Sequence, residues 1–258
     1  MSPPSYFSIE KSQSLRRLEL TELLRKVGKT PTVAESLDVQ KRRQRLQQRV
    51  DQFLSRAKAL WPLQPHLQPS EYRNELWIDL GDPDSEDDED GGRPLQFTGS
   101  VENLSMYLPS TFGMETCTAA GYLHAADMEK ALRIGQANDK LQCLRIAISR
   151  KACIFREGVR AAKSKKKKTR AWDHIHAVDQ SVRYNCRAYL RARSALFRLN
   201  PSVAERERYQ PLAKGDINVD TARIEPGLRG QRNKHLAWFW TMDISDDVEQ
   251  QEGMTECE

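Results

Sequence analysis

The feature that most constrains the fold of this chain is a pair of apolar stripes between residues 132 and 199. Apolar residues recur at intervals of three and four on both sides of a lysine-rich turn, 163–168. On the first arm they are Ala137, Leu141, Leu144, Ile148, Ala152, Phe155, Val159 and Ala162. On the second arm they are Ala171, Ile175, Val178, Val182, Cys186, Tyr189, Leu196 and Leu199. This spacing places each set on one face of an α-helix, and the short turn favours an antiparallel hairpin.

The register of this hairpin follows from counting residues outward from the turn. Phe155 is expected near Ile175, and Leu144 near Cys186. Gly135, just before the first stripe, is expected to mark a kink or a close approach between helices.

Two further helices are predicted in residues 1–60. The first runs from Ser8 to Lys29, and Thr32 caps the second with Glu35 at the spacing of a capping box. The second helix carries apolar residues at heptad positions: Val39, Leu46, Val50, Phe53, Ala57 and Leu60. This pattern leaves two interpretations open, a coiled coil that self-associates or binds a protein partner through residues 33–60, and a helical hairpin within the chain.

The remaining segments are poor in periodic apolar residues. Residues 61–113 are predicted to be a disordered linker, rich in proline and acidic at 81–92, which is either solvated or covers a basic face. Residues 201–258 form a loop-rich tail with a short helix near 203–209, aromatic residues within 235–240 and an acidic end. Those aromatic residues either pack back on the helices or form an exposed apolar end. The predicted fold is all-α, with residues 114–200 as the helical hairpin region.

Charge is segregated along the chain, although the net charge is only +5. Residues 1–60 contain 13 Lys or Arg and 6 Asp or Glu, and residues 111–200 contain 19 and 7. Residues 61–110 contain 2 and 11, and residues 201–258 contain 7 and 12. Blocks of alternating sign favour attraction between segments or to a charged partner.

The basic residues of the hairpin are candidate contacts to the phosphates of DNA or RNA. They are Arg145, Arg156, Arg160, Lys163, Lys165, Lys166, Lys167, Lys168, Arg170, Arg183, Arg187 and Arg191. Like charges four apart on a helix repel each other, so this pattern favours a counter-charge such as phosphate. A nuclear import signal at 163–170 and simple solubility are the alternatives.

Patterns typical of catalysis or metal binding are not found. His174 and His176 lie two apart on a predicted helix and point in nearly opposite directions, and the five cysteines show no zinc spacing. The sequence contains no glycine-rich phosphate loop in the required strand and helix context. We therefore predict a non-enzyme without cofactor or metal. No segment approaches a membrane span, and the scattered cysteines indicate reduced thiols, so we expect a nuclear or cytoplasmic protein, with the nucleus favoured.

The segment from Gly135 to Arg145, GQANDKLQCLR, resembles the C-terminal helical region of fungal transposases of the Kyakuja–Dileera–Zisupton group and of related fungal proteins. Supporting matches are Leu108-Pro109-Ser110, Lys168-Thr-Arg-Ala-Trp172, Tyr209-Gln-Pro-Leu212, Gly230-Gln-Arg232 and Leu236-Ala-Trp-Phe-Trp240, and together they span about residues 32–242.

This family implies a DNA-mobilising enzyme with a ribonuclease-H-like core and, often, an upstream cysteine cluster. The sequence lacks that cluster and has no room for the core, so no catalytic residue is carried over. The resemblance therefore implies a non-catalytic accessory tail, or a non-functional transposon remnant.

Overall fold

The structure is a computed structural model that describes residues 19, 20, 23, 27, 32–60, 108–160, 164–217 and 236–242. Within these ranges every regular element is helical, and the predicted all-α class is confirmed. The predicted acidic run at 81–92 and the acidic C-terminal end lie outside the described residues. The chain divides into two compact units. One contains residues 1–75, 81–130 and 198–200, and the other contains 76–80, 131–197 and 201–258.

Helix α1, Val33–Leu60, belongs to the first unit and begins at the predicted capping box. The Thr32 hydroxyl accepts a hydrogen bond from the Glu35 amide at 3.3 Å, and the Glu35 carboxylate accepts one from the Thr32 amide at 2.9 Å. The bonds from Thr32 hold the pKa of Glu35 below its ordinary value. Two amides at the helix start thus gain partners that the helix itself cannot supply.

The apolar heptad face of α1 is covered within the chain. Val39, Leu46 and Val50 are buried in one cluster with Leu20. Leu23, Val27 and Leu54 pack against this cluster, and residues 19, 20, 23 and 27 are all helical. Of the two interpretations of the heptad pattern, the internal pairing therefore accounts for the burial of this stripe.

Two short helices follow in the first unit, α2, Pro109–Phe112, and α3, Met114–Ala119. The buried carboxylate of Glu129 accepts hydrogen bonds from the Ser110 amide at 2.7 Å and the Ser110 hydroxyl at 2.6 Å. An acidic group at the start of a helix satisfies amides that have no partner in the helix. Residues 109–112, which lie inside the predicted 61–113 linker, are helical.

The predicted hairpin is confirmed. Helix α4, Leu123–Ile154, continues as a π-helical turn, Phe155–Arg160, and helix α5 runs from Lys165 to Arg198. In the second unit their apolar faces share one buried cluster that contains both Leu144 and Cys186. The Lys151 ammonium donates to Asp179 at 2.5 Å. These two residues lie four further from the turn than Phe155 and Ile175, so they share the predicted register.

The described part of the tail packs back on the hairpin. It contains helix α6, Val203–Arg208, a 3₁₀ turn, Lys214–Ile217, and helix α7, Trp238–Thr241. Four tail residues join the buried cluster of the hairpin: Tyr209, Leu212, Ala237 and Phe239. Phe239 is fully buried, so the aromatic segment packs against the helices instead of forming an exposed end.

Hydrogen bonds from hairpin side chains hold the segment after α6. Tyr189 donates to the Gln210 carbonyl at 2.6 Å, and Arg193 donates to the Tyr209 carbonyl at 2.8 Å. The Tyr209 hydroxyl donates in turn to the Asn138 side chain at 3.0 Å. The irregular backbone thereby obtains partners that regular secondary structure would otherwise supply.

The glycines of the hairpin differ in their surroundings. A Cβ atom added at Gly135 would meet nothing within 4 Å, so the expected close approach there is wrong, and a kink stays a prediction. A close approach lies instead at Gly158, where an added Cβ atom would stand 2.8 Å from the Cβ of Ala171. The π-helical turn and the start of α5 are therefore in close contact at this point.

We predict opposite effects for the same substitution at these two glycines. Gly135→Ala should raise the free energy of unfolding by about 0.5–1 kcal/mol, because alanine loses less backbone entropy in a helix. Gly158→Ala should lower it by roughly 1–2 kcal/mol, because its Cβ atom overlaps Ala171. Urea denaturation followed by circular dichroism measures both changes. In a double-mutant cycle, Ala171→Gly should recover part of the stability that Gly158→Ala removes, and a stabilising Gly158→Ala would contradict the close packing.

Candidate nucleic-acid interface

The lysine-rich segment forms the first turn of α5. The Ser164 hydroxyl accepts a hydrogen bond from the Lys167 amide at 3.4 Å, which places Ser164 at the N-cap. Lys165, Lys166, Lys167 and Lys168 follow at the first four helical positions, and all four side chains are exposed. Arg170, two positions after Lys168, is also exposed. Five cations therefore occupy the N-terminal one and a half turns of one helix.

The electrostatics of this helix start are unfavourable without an anion. The macrodipole makes a helix N-terminus positive, and lysines there add charge of the same sign. Within the described ranges, no carboxylate forms an ion pair with these five side chains. Glu157 is the one acidic residue among eight Lys or Arg in residues 155–170, and it pairs with Arg156 at 3.4 Å. The hairpin end thus presents a concentrated positive potential to solvent.

The arginines further along α5 face inward more than the sequence predicted. Arg183 is only 6% exposed, so its assignment to an outward nucleic-acid surface is wrong. Its neighbours Arg187 and Arg191 are half-buried, and burial lowers the pKa of Arg187. Arg183, Arg187 and Arg191 lie one turn apart on α5, on a side of the helix that the fold covers at least in part.

Arg145 on α4 has a structural role. Its guanidinium donates from Nε to the Phe239 carbonyl at 2.7 Å, and Nη2 donates to the carbonyls of Phe239 and Met242. These carbonyls lie in and just after α7, where the last turn of a helix has no internal donors. Arg145 therefore ties the tail to the hairpin, and its charge is directed inward.

The remaining predicted residues divide into two groups. The side chain of Arg160 and all of Lys163 lie outside the described residues. The exposed group, called here the basic tip, consists of Arg156, Lys165, Lys166, Lys167, Lys168 and Arg170. Of the twelve predicted contacts, these six have the exposure that a polyanion partner requires.

Sequence reasoning missed an aromatic cluster beside the basic tip. The Phe155 and Trp172 rings meet edge to face with centroids 6.0 Å apart, and the His176 ring lies 6.2 Å from Trp172. All three side chains are half-buried and thus partly open to solvent. The spacing of Trp172 and His176, four residues apart on a helix, was the available signal.

The two buried cysteines of the described part, Cys117 and Cys186, do not suit nucleophilic catalysis. Burial raises the pKa of the Cys117 thiol to about 11, with a smaller effect from Glu129, and burial raises that of Cys186 to about 12. A thiol must be ionised to act as a nucleophile. Across the described ranges, no three His, Cys, Asp or Glu side chains are grouped closely enough to hold a metal ion. No helix described here has the length and apolar character needed to cross a membrane.

Comparison with known proteins adds no relative: no protein-family model, curated protein or solved structure matches this chain.

The thiol environments predict selective alkylation at about pH 8. Cys143 and Cys153 are exposed and should react in the native protein, whereas Cys117 and Cys186 should react only after unfolding. Peptide mass spectrometry after labelling with and without denaturant locates each modification, with Cys257→Ser removing the one thiol outside the described residues. Native labelling of Cys186 would contradict its placement in the hairpin core.

The same burial predicts how protein stability depends on pH. Both buried thiols ionise more readily when unfolded, so their stabilising contribution is complete below pH 9 and declines as the pH rises toward about 11.

Proposed function

We propose that this chain is a non-catalytic helical protein that binds nucleic acid through phosphate contacts at the basic tip. The observation that carries the proposal is the run of exposed lysines at the N-terminal, positive end of α5. Among the described residues, no carboxylate forms an ion pair with these lysines. Phosphates of a nucleic-acid backbone supply the missing negative charge, and helix N-terminal amides favour the same anions. Side chains that contact only phosphates give binding that is insensitive to sequence.

The contacts among the resemblance motifs support an accessory role. Asn138 of the GQANDKLQCLR segment binds Tyr209, and Arg145 of the same segment binds the carbonyl of Phe239. Ser110 of the Leu108–Ser110 match binds Glu129. These residues are used for packing and hydrogen bonding within the fold, which supports a structural role for the matching motifs. The proposed role in DNA contact agrees with a nuclear location.

Self-association through residues 33–60 has less support as a function. Val39, Leu46 and Val50 already pack against Leu20 within the chain, so a coiled coil would have to displace that contact. A strict monomer in ultracentrifugation of the full chain at high concentration is the expected result.

Neutralising the lysines tests the proposal directly. In a mobility-shift assay, the full chain should bind a duplex with affinity that falls steeply between about 50 and 200 mM salt. Changing Lys165, Lys166, Lys167 and Lys168 to Gln should weaken binding and reduce the slope of log affinity against log salt by about 0.9 for each phosphate that the variant no longer neutralises. Glutamine keeps a high helix propensity, so the melting temperature should not fall.

A matched control removes the same charge from another surface. Lys41, Arg42, Arg45 and Arg56 are exposed on α1, and their change to Gln should alter affinity by less than about two-fold if the basic tip is the contact surface. Equal weakening of binding in both variants would show that affinity depends on net charge and not on the basic tip. A wild-type affinity that is absent, or flat across the salt series, would refute the proposed function.

A further inference from the structure

Basic and aromatic side chains share one face of α5 at the basic tip. Lys165, Lys168, Trp172 and His176 follow one another at intervals of three and four residues, which places them in a row along the helix. A four-residue step is about 6 Å of helix rise, comparable to the spacing between successive nucleotides of an extended strand. The row begins with exposed lysines and ends with partly exposed rings.

The packing of Trp172 leaves it suited to an additional ring. Phe155, at the start of the π-helical turn, meets Trp172 at an interplanar angle of 87°, an edge-to-face contact that fixes the indole without a parallel stack. His176 is tilted by 37° at 6.2 Å. Trp172 is held on one side by Phe155 of the π-helical turn and remains partly open to solvent, in one row with Lys165 and Lys168.

An arrangement of this kind is expected to distinguish single strands from duplexes. In a duplex the bases are stacked and paired, so their faces are not available for stacking on an aromatic side chain, although the phosphates and the groove edges can be contacted. In a single strand the bases can be splayed out onto aromatic rings while lysines follow the backbone. Phosphate contacts alone would give no preference of this kind.

We propose that the basic tip prefers single-stranded nucleic acid, with Trp172 as the stacking platform for one base and Lys165 and Lys168 on the adjoining phosphates. This inference rests on the proposed nucleic-acid function and specifies its ligand. Stacking on an indole is tolerant of base identity, so the preference is for strand state and not for sequence.

The experiment compares oligo(dT) of about 20 nucleotides, oligo(U) of the same length and a duplex of equal length, with the full chain, by fluorescence anisotropy at low salt. Trp172→Leu keeps an apolar side chain against Phe155 but removes the indole. It should weaken binding of both single strands by about 5-fold or more and change duplex binding by less than about two-fold. Trp172→Phe retains a ring and should recover most of the affinity. Tyr184→Leu, the control, changes a half-buried ring on α5 that lies twelve residues from Trp172, and it should leave all three affinities unchanged.

The outcomes separate the two proposals. Equal affinity for duplex and single strands, with Trp172→Leu affecting both alike or neither, overturns the single-strand preference and leaves the phosphate-binding function in place. Binding to none of the three probes removes both. Ultraviolet cross-linking of the wild-type chain to oligo(dT), mapped by mass spectrometry, needs no variant. It therefore tests the proposal even if the Trp172→Leu protein fails to fold. Cross-links at residues 165–176 support the stacking platform, and cross-links found only elsewhere overturn it.

Discussion

The apolar seam between α4 and α5 is the interaction on which the rest of the described second unit depends. Two stripes at helical spacing remove each other from water, but apolar contact alone would tolerate a shift of one turn along the seam. The pair of Lys151 and Asp179 removes that freedom. Asp179 is buried and Lys151 is half-buried, and a slipped register that separates them would leave the carboxylate without this cation, at a cost of about 1–3 kcal/mol. The seam supplies the stability, and this pair favours the observed alignment.

The same seam determines how the tail is held. The tail segments described here have little regular structure, so their carbonyl groups need donors from elsewhere. Tyr189, Arg193 and Arg145 supply them from the two long helices. Three polar side chains on the hairpin are thereby used inside the molecule. A count of basic residues along the sequence consequently overestimates the charge that is available to a partner.

Features that depend on residues close together in the sequence could be predicted, and features that depend on distant residues could not. Helical periodicity located both long helices and their register, and a three-residue spacing located the cap at Thr32, because these signals are local. Helix α2, the inward roles of Arg145 and Arg183 and the aromatic cluster around Trp172 depend on partners far away in sequence. The close approach expected at Gly135 is wrong for the same reason, because an isolated glycine in a sequence does not indicate whether a neighbouring helix is close. The π-helical turn could not be predicted, because its apolar residues Phe155 and Val159 continue the spacing of the preceding α-helix.

The exposed charges of the basic tip lower the stability of the fold only slightly. Exposed like charges are screened over about 8–10 Å at physiological salt, so the repulsion among the lysines subtracts little from the stability of the fold. Burying Arg183 or Asp179 carries a far larger cost, which the Lys151 ammonium offsets at Asp179. The solvent-facing end of the hairpin can therefore accumulate charge that an interior position could not. Beside it, the edge-to-face contact with Phe155 holds Trp172 next to the lysines.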